Sequence, residues 1–235
     1  MITQIDHIIL AVDGDSHEAL SGQLKGAGFV HADAGRHAGG TENENVAFAG
    51  GGFLELLREQ SPGSGPPIWF VETPRVQGVG FSTDDYDHDI AGWVDGPGAW
   101  NERFDKTLAD GTVSSCQAAG PLPRELFYPF CMDRAATPWA TLGATPRLRR
   151  LIFAGAAHQE WRDRFVAWFD LPIIDNGLVC GDVELSFVNG PHPDMRASLA
   201  FDVVSAGARI PISGGVIELN QTQARSAPTV RGAGK

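Results

Sequence analysis

The feature that most constrains this chain is a phrase that repeats. Gly51-Gly52-Phe53-Leu54-Glu55-Leu56 returns as Gly214-Gly215-Val216-Ile217-Glu218-Leu219, and more loosely as Gly181-Asp182-Val183-Glu184-Leu185. Each copy reads as a glycine turn followed by a strand that sets one carboxylate among apolar residues. A recurring strand motif signals a recurring supersecondary unit. A carboxylate within an apolar strand is costly to bury unless something pairs with it. The repeated acid is therefore either a ligand or a partnered structural group.

The residues around the first copy define the unit. The β-branched run 5–12 reads as a strand, and Asp13-Gly14-Asp15-Ser16 supplies turn and cap chemistry. Residues 17–27 carry Leu20, Leu24 and Ala27 at helical spacing and end at glycines. Strands are expected at 29–33, 45–49 and 52–58, giving the order βαβββ. The same template predicts a strand at 75–83, a helix from Asp84-Asp85 to 95, and strands at 111–117 and 127–133, with 96–109 unassigned. A third pass gives a strand at 149–154, a helix at 157–169 with an apolar stripe of Trp161, Phe165 and Trp168, and strands at 172–174, 178–180 and 183–188. The last pass, with strands at 198–204, 208–212 and 215–220, lacks the helix. The stripe is read as core, because amphipathic packing accounts for it.

Length and charge bound the function. The 235 residues accommodate one large domain or two of about 100–120 residues. A net charge of −11 argues against nucleic acid or an anionic membrane as the main partner, since both select a basic face. There is no run of about 18 apolar residues to span a bilayer. The segment Met1–His7 does not read as a signal peptide. The three cysteines, Cys116, Cys131 and Cys180, are far apart and form no CxxC pair, which fits a reducing cytoplasm. No phosphate loop, nucleophile elbow or EF-hand is present; Asp84-Asp85-Tyr86-Asp87-His88-Asp89 lacks the glycine and distal glutamate that calcium loops need.

Several segments together resemble the vicinal oxygen chelate superfamily, and within it the glyoxalase-like domain proteins. Ile5-Asp6-His7-Ile8-Ile9-Leu10-Ala11-Val12 is similar to that family's first strand with its ligand histidine. Gly35-Arg36-His37-Ala38-Gly39-Gly40-Thr41-Glu42-Asn43 resembles its glycine-rich segment, and Phe53-Leu54-Glu55-Leu56 its fourth strand with a ligand glutamate. The resemblance implies an α+β fold of repeated βαβββ modules, with curled mixed sheets around a cavity and a degenerate second half. The expected organisation is a two-module glyoxalase-like domain at 1–136, a degenerate half at 147–221 and a disordered tail at 222–235.

The resemblance also implies a divalent metal such as Zn, Ni, Mn or Fe. Its ligands would be His7 and Glu55 from the first module, completed by Asp133 from the fourth strand of the second or by His37 from a glycine-rich loop folded over the cavity mouth. Glu55 is the candidate catalytic group. The second-module position equivalent to His7 falls near Gly78, which offers no side chain. In the third module Arg150 stands in the histidine's place, and an Arg150–Glu184 ion pair is expected there. Two functions follow. One is metal-assisted lyase, isomerase or dioxygenase-type chemistry on a small oxygenated metabolite. The other is metal-free binding, as in antibiotic-sequestering relatives. A small-molecule ligand is the expected partner, and a homodimer is compatible with the resemblance.

Overall fold

The computed structural model describes residues 1–66, 70–94, 98–122, 127–134, 142–175, 177–204 and 206–221. The first unit is β1 (Ile2–Ala11), α1 (Gly14–Gly26), β2 (Val30–His37), β3 (Thr41–Ala47) and β4 (Phe53–Glu59). The second is β5 (Arg75–Thr83), α2 (Tyr86–Val94), β6 (Ala99–Leu108), β7 (Val113–Pro121) and β8 (Tyr128–Met132). In each unit the first strand runs parallel to the fourth. Antiparallel pairing of β1 with β5 and of β2 with β6 closes the eight strands into a barrel, in the order β1-β4-β3-β2-β6-β7-β8-β5.

The second half repeats the plan without closing it. The third unit is β9 (Arg147–Ala154), α3 (His158–Phe169), β10 (Ile173–Ile174), β11 (Gly177–Cys180) and β12 (Val183–Val188). The helix-free last unit is β13 (Arg196–Val203), β14 (Ala208–Ile212) and β15 (Gly215–Gln221). These form one seven-stranded sheet, β10-β11-β12-β9-β13-β15-β14, again with first and last strands of each unit parallel. Where the barrel has β2 and β6 to seal it, this sheet has β10, only two residues long, at one edge and β14 at the other. The architecture is the expected α+β arrangement of βαβββ units.

Three local differences from the sequence reading have physical causes. Helix α1 starts at Gly14, three residues early, because Asp13 is its N-cap: Asp13 Oδ1 accepts from the Ser16 N–H at 2.7 Å and Ser16 Oγ accepts from the Asp13 N–H at 3.2 Å. Strand β6 lies within the unassigned stretch 96–109. Its sequence, AWNERFDKTL, is mostly polar or charged, so the two-residue apolar alternation that marks a strand is nearly absent. Strands β2 and β3 extend to His37 and from Thr41, so the glycine-rich segment is a hairpin and not a free loop. The expected tail at 222–235 and residues 135–141 of the connection before β9 lie outside the described residues.

One hydrophobic core joins the two sheets. Helix α3 lies between them: Phe169 packs on Phe81 of the barrel with ring centroids 4.7 Å apart, and Phe165 packs on Phe153 and Phe187 of the open sheet, each at 5.3 Å. Trp93 of α2 donates its indole N–H to the Trp168 carbonyl at 3.1 Å. The stripe is core, as expected, with Trp161 and Phe165 buried and Trp168 packed against them. Phe165→Ala is expected to cost about 3–5 kcal/mol, because the cavity it leaves is walled by several rings. Urea denaturation followed by tryptophan fluorescence and far-UV circular dichroism checks this. Coincident midpoints, both shifted, are expected from a shared core. No helix among the described residues is long and apolar enough to cross a membrane.

Candidate functional site

The barrel encloses a cavity of about 310 Å³. Its two walls differ in chemistry. Strands β1, β2, β3 and β4 contribute His7, His37, Thr41, Asn43, Asn45 and Glu55. The wall opposite is aromatic and thioether-lined, with Trp100 and Phe104 from β6 and Tyr128, Phe130 and Met132 from β8. The polar wall follows from strand alternation. Thr41, Asn43 and Asn45 sit at two-residue spacing on β3, so all three face inward and Glu42 and Glu44 face out.

A β-bulge creates the core of the site. Ile5 pairs with Phe81 and His7 pairs with Gly80, so Asp6 is an extra residue in β1. Neighbouring strand residues normally point to opposite faces. The bulge relaxes that alternation and lets Asp6 Oδ1 reach His7 Nδ1 at 2.6 Å. Asp6 is fully buried and fully partnered: Ser82 Oγ donates to it at 2.9 Å, Arg134 Nε at 2.6 Å, and Arg134 Nη2 completes a bidentate clamp. Burial by itself would raise the Asp6 carboxyl. The Arg134 and His7 hydrogen bonds outweigh it and hold the group well below the ordinary aspartate range. An ionised carboxylate only accepts, so His7 Nδ1 carries the proton and Nε2 faces the cavity.

His7 is held rigidly in that orientation. Its ring stacks on Phe53 at 4.7 Å and 12°, and Phe130 meets its edge at 5.2 Å. Its Nε2 lies 3.7 Å from Glu55 Oε2, too far for a hydrogen bond. The other oxygen of Glu55 accepts from Asn43 Nδ2 and lies 4.0 Å from His37 Nε2. Asn43 Nδ2 also donates to Asn45 Oδ1 at 3.2 Å. His37 Nδ1 is paired with Thr41 Oγ1 at 2.9 Å. Three polar groups thus converge, with an unbridged gap between His7 and Glu55.

The cavity's lysine and arginines are already paired. Arg134 is clamped on Asp6. Lys106 Nζ contacts both oxygens of Asp33 at 3.0 and 2.9 Å. Arg103 Nε binds Asp105 Oδ1 at 3.2 Å and its Nη2 donates to Ser115 Oγ at 2.9 Å. Cys116 also lines the cavity, but burial pushes its thiol above the ordinary value, away from the thiolate a nucleophile needs.

Of the expected metal ligands, the structure brings together His7, Glu55 and His37, and it leaves Asp133 out. Asp133 lies just past β8, is exposed and does not line the cavity. The inward positions of β8 are Tyr128, Phe130 and Met132. His37 reaches the site from the end of β2 and not from a loop over the mouth. The second module offers no ligand for a structural reason. Gly80 pairs with both His7 and Phe130, and a Cβ there would fall 2.8 Å from the Phe130 ring and 3.0 Å from His7 Cε1. Aromatic rings occupy the space that a second-module ligand would need.

Among the described residues, no group of three or more His, Cys, Asp or Glu side chains is close enough to hold an ion. His7 and His37 approach opposite oxygens of Glu55, at 3.7 and 4.0 Å. His7, His37 and Glu55 are the side chains that would hold a metal here if they drew together around it. Sequence reasoning missed the roles of Arg134, Asn43 and Asn45. The alternation Thr41-x-Asn43-x-Asn45 was a usable signal; nothing local ties Arg134 to Asp6.

Known proteins share this architecture. The chain matches the family described as "Glyoxalase-like domain" over residues 5–186. A hypothetical protein from Staphylococcus aureus superposes with a TM-score of 0.75 at 13% identity, covering 94% of this chain and 100% of that one. A mutant 4-hydroxymandelate synthase from Streptomyces coelicolor gives 0.58 at 16% identity, covering 86% and 72%. The Mn(II)-bound glyoxalase from Novosphingobium aromaticivorans gives 0.51 at 15% identity, covering 87% and 67%. No functionally curated protein matches the chain by sequence. At these identities the structural likenesses speak to fold alone, but the family match spans most of the sequence: the chain belongs to the glyoxalase-like domain family.

Proposed function

We propose that the barrel cavity binds a small, uncharged oxygenated molecule with an apolar or aromatic body, and that His7 and Glu55 transfer a proton on it. The observation that carries this reading is the line Asp6–His7–Glu55, with an ionised buried acid behind the imidazole and a 3.7 Å gap in front of it. A hydroxyl or an acidic C–H placed in that gap would meet His7 Nε2 on one side and a Glu55 oxygen on the other. Proton transfer to Nε2 would leave an imidazolium between two carboxylates, which stabilise it. Return of the proton to a neighbouring atom would complete an isomerisation. The aromatic wall supplies apolar burial for the rest of the ligand. With Lys106, Arg103 and Arg134 already paired, the site favours neutral donors over carboxylate ligands. The three free cysteines suit a reducing cytoplasm.

A second reading keeps a divalent metal such as Zn, Ni, Mn or Fe. It is favoured by the pairing of both Nδ1 atoms, His7 with Asp6 and His37 with Thr41, which turns both Nε2 atoms toward Glu55. Outer partners of this kind orient ligand histidines. Non-catalytic binding is the third reading, favoured by the aromatic side chains where second-module ligands would stand. One experiment separates them. Protein purified without a His tag or chelators is analysed for metal, then screened by thermal shift against neutral phenols and hydroxyketones with their carboxylate counterparts. Binders are followed by NMR in deuterated buffer. Neutral binders that exchange a proton for deuterium, dependent on His7, support the proposal. Stoichiometric metal lost in His7→Ala selects the second reading, binding without exchange selects the third, and a preference for carboxylates sinks the charge argument.

A further inference from the structure

We infer that the open face of the second sheet is a self-complementary interface for a second copy of this chain. Residues that pair directly across strands share a face. One such row crosses β12, β9, β13, β15 and β14 as Glu184, Arg150, Ala200, Glu218 and Arg209. Arg150 Nη2 lies 2.8 Å from Glu184 Oε2, and Arg209 Nη2 lies 3.1 Å from Glu218 Oε1. The four charged side chains are between 30% and 73% exposed. The opposite face of the same strands carries Leu151, Phe153, Leu185, Leu199 and Ile217, all buried in the shared core.

The repeat explains how this face arose. Glu184 and Glu218 occupy the place that Glu55 holds in the first copy of the phrase, on the side of the sheet that lines the cavity there. In the barrel, β2 and β6 close over that side. Here β10 and β14 stay at opposite edges, so the face remains open and its acids are neutralised by arginines on neighbouring strands.

The order of charges selects the occupant. The row reads negative, positive, alanine, negative, positive. Turned end for end, it becomes its own complement. A twofold axis parallel to the strands through Ala200 sets each Glu184 against Arg209 of the other copy, and each Arg150 against Glu218 of the other copy. The smallest side chain of the row, Ala200, sits on the axis and is itself only 9% exposed. A self-matching patch is what a twofold interface requires. The row beside it, Ser186, Ile152 and Ser198, adds short and apolar side chains. Seven strands about 4.8 Å apart and about six residues long present roughly 650 Å² per copy, somewhat below the roughly 800 Å² per partner of a standard interface. The dimer is therefore expected to be of moderate affinity and weakened by salt. The inference does not rest on the cavity reading.

Sedimentation equilibrium on the full chain, from about 1 to 200 μM at low and high salt, tests it. The wild type should associate. Arg150→Glu and Glu218→Arg should each weaken the dimer by at least about tenfold, since each reversal acts twice across the axis. A fourfold variant, Glu184→Arg, Arg150→Glu, Glu218→Arg and Arg209→Glu, should dimerise with itself but not with the wild type. Circular dichroism confirms that each variant is folded. A wild type that stays monomeric throughout, or a dimer indifferent to the reversals, overturns the inference. So does association that appears only when residues 222–235 are removed, because that segment would then be the occupant.

Discussion

Replacing Arg134 by alanine is expected to destabilise the protein by about 3–5 kcal/mol, the usual consequence of leaving a buried charge without its partner. Asp6 is fully buried, and the guanidinium supplies two of its hydrogen bonds. Without it, Asp6 keeps only Ser82 and His7 and must protonate or draw in water. Arg134→Lys should recover part of the loss, because an ammonium cannot reproduce the planar fork. The same clamp predicts a pH dependence. The folded Asp6 carboxyl titrates below its ordinary value of 3.8. Its contribution is therefore fully present above that value and drains away as the pH falls below it. Urea denaturation between neutral and acid pH should show a steeper loss in the wild type than in Asp6→Asn. An Arg134→Ala midpoint within about 1 kcal/mol of wild type would refute the clamp as a stability element.

His7→Ala should lower turnover of any substrate that the screen identifies by about 10²–10⁴-fold, the range for losing a positioned general base. Glu55→Gln should have an effect of similar size, since the amide keeps the shape and loses the charge. Both variants should fold. Removing His7 leaves Asp6 with Arg134 and Ser82, and the amide oxygen introduced by Glu55→Gln could still accept from Asn43, so each change should cost no more than about 1–3 kcal/mol. The expected signature is a fall in kcat with little change in KM, because the ligand's apolar body is held by Trp100, Tyr128 and Phe130. A purely structural role predicts lower melting temperatures with kcat unchanged in the folded fraction. Full turnover by His7→Ala would end the proton-transfer proposal.

Legibility in the sequence followed the strength of local patterns. The strands of the repeated phrase are apolar and bounded by glycine, so β4, β12 and β15 stood out together with their carboxylates. Helix α3 announced itself through Trp161, Phe165 and Trp168. Strand β6 did not, because polar and charged residues occupy most of it and only Trp100 and Phe104 mark its inner face. The expected Arg150–Glu184 pair forms, since the two residues are direct partners on adjacent strands. Asp133 failed as a site residue because it follows the inward-facing Met132, so strand alternation puts its side chain on the outer face.

The sequence by itself determined the repeat, the α+β class, the second module's missing histidine and the inward placement of His7 and Glu55. The first two follow from local patterns of residue type, and the last two from the family resemblance that those patterns carry. The tertiary structure decided which groups His7 and Glu55 meet. The Asp6 bulge, the Arg134 clamp from 128 positions away, the aromatic wall and the alternating row on the open sheet all depend on register between distant strands. Register is set by the packing of the whole barrel and sheet, and no short stretch of sequence contains it.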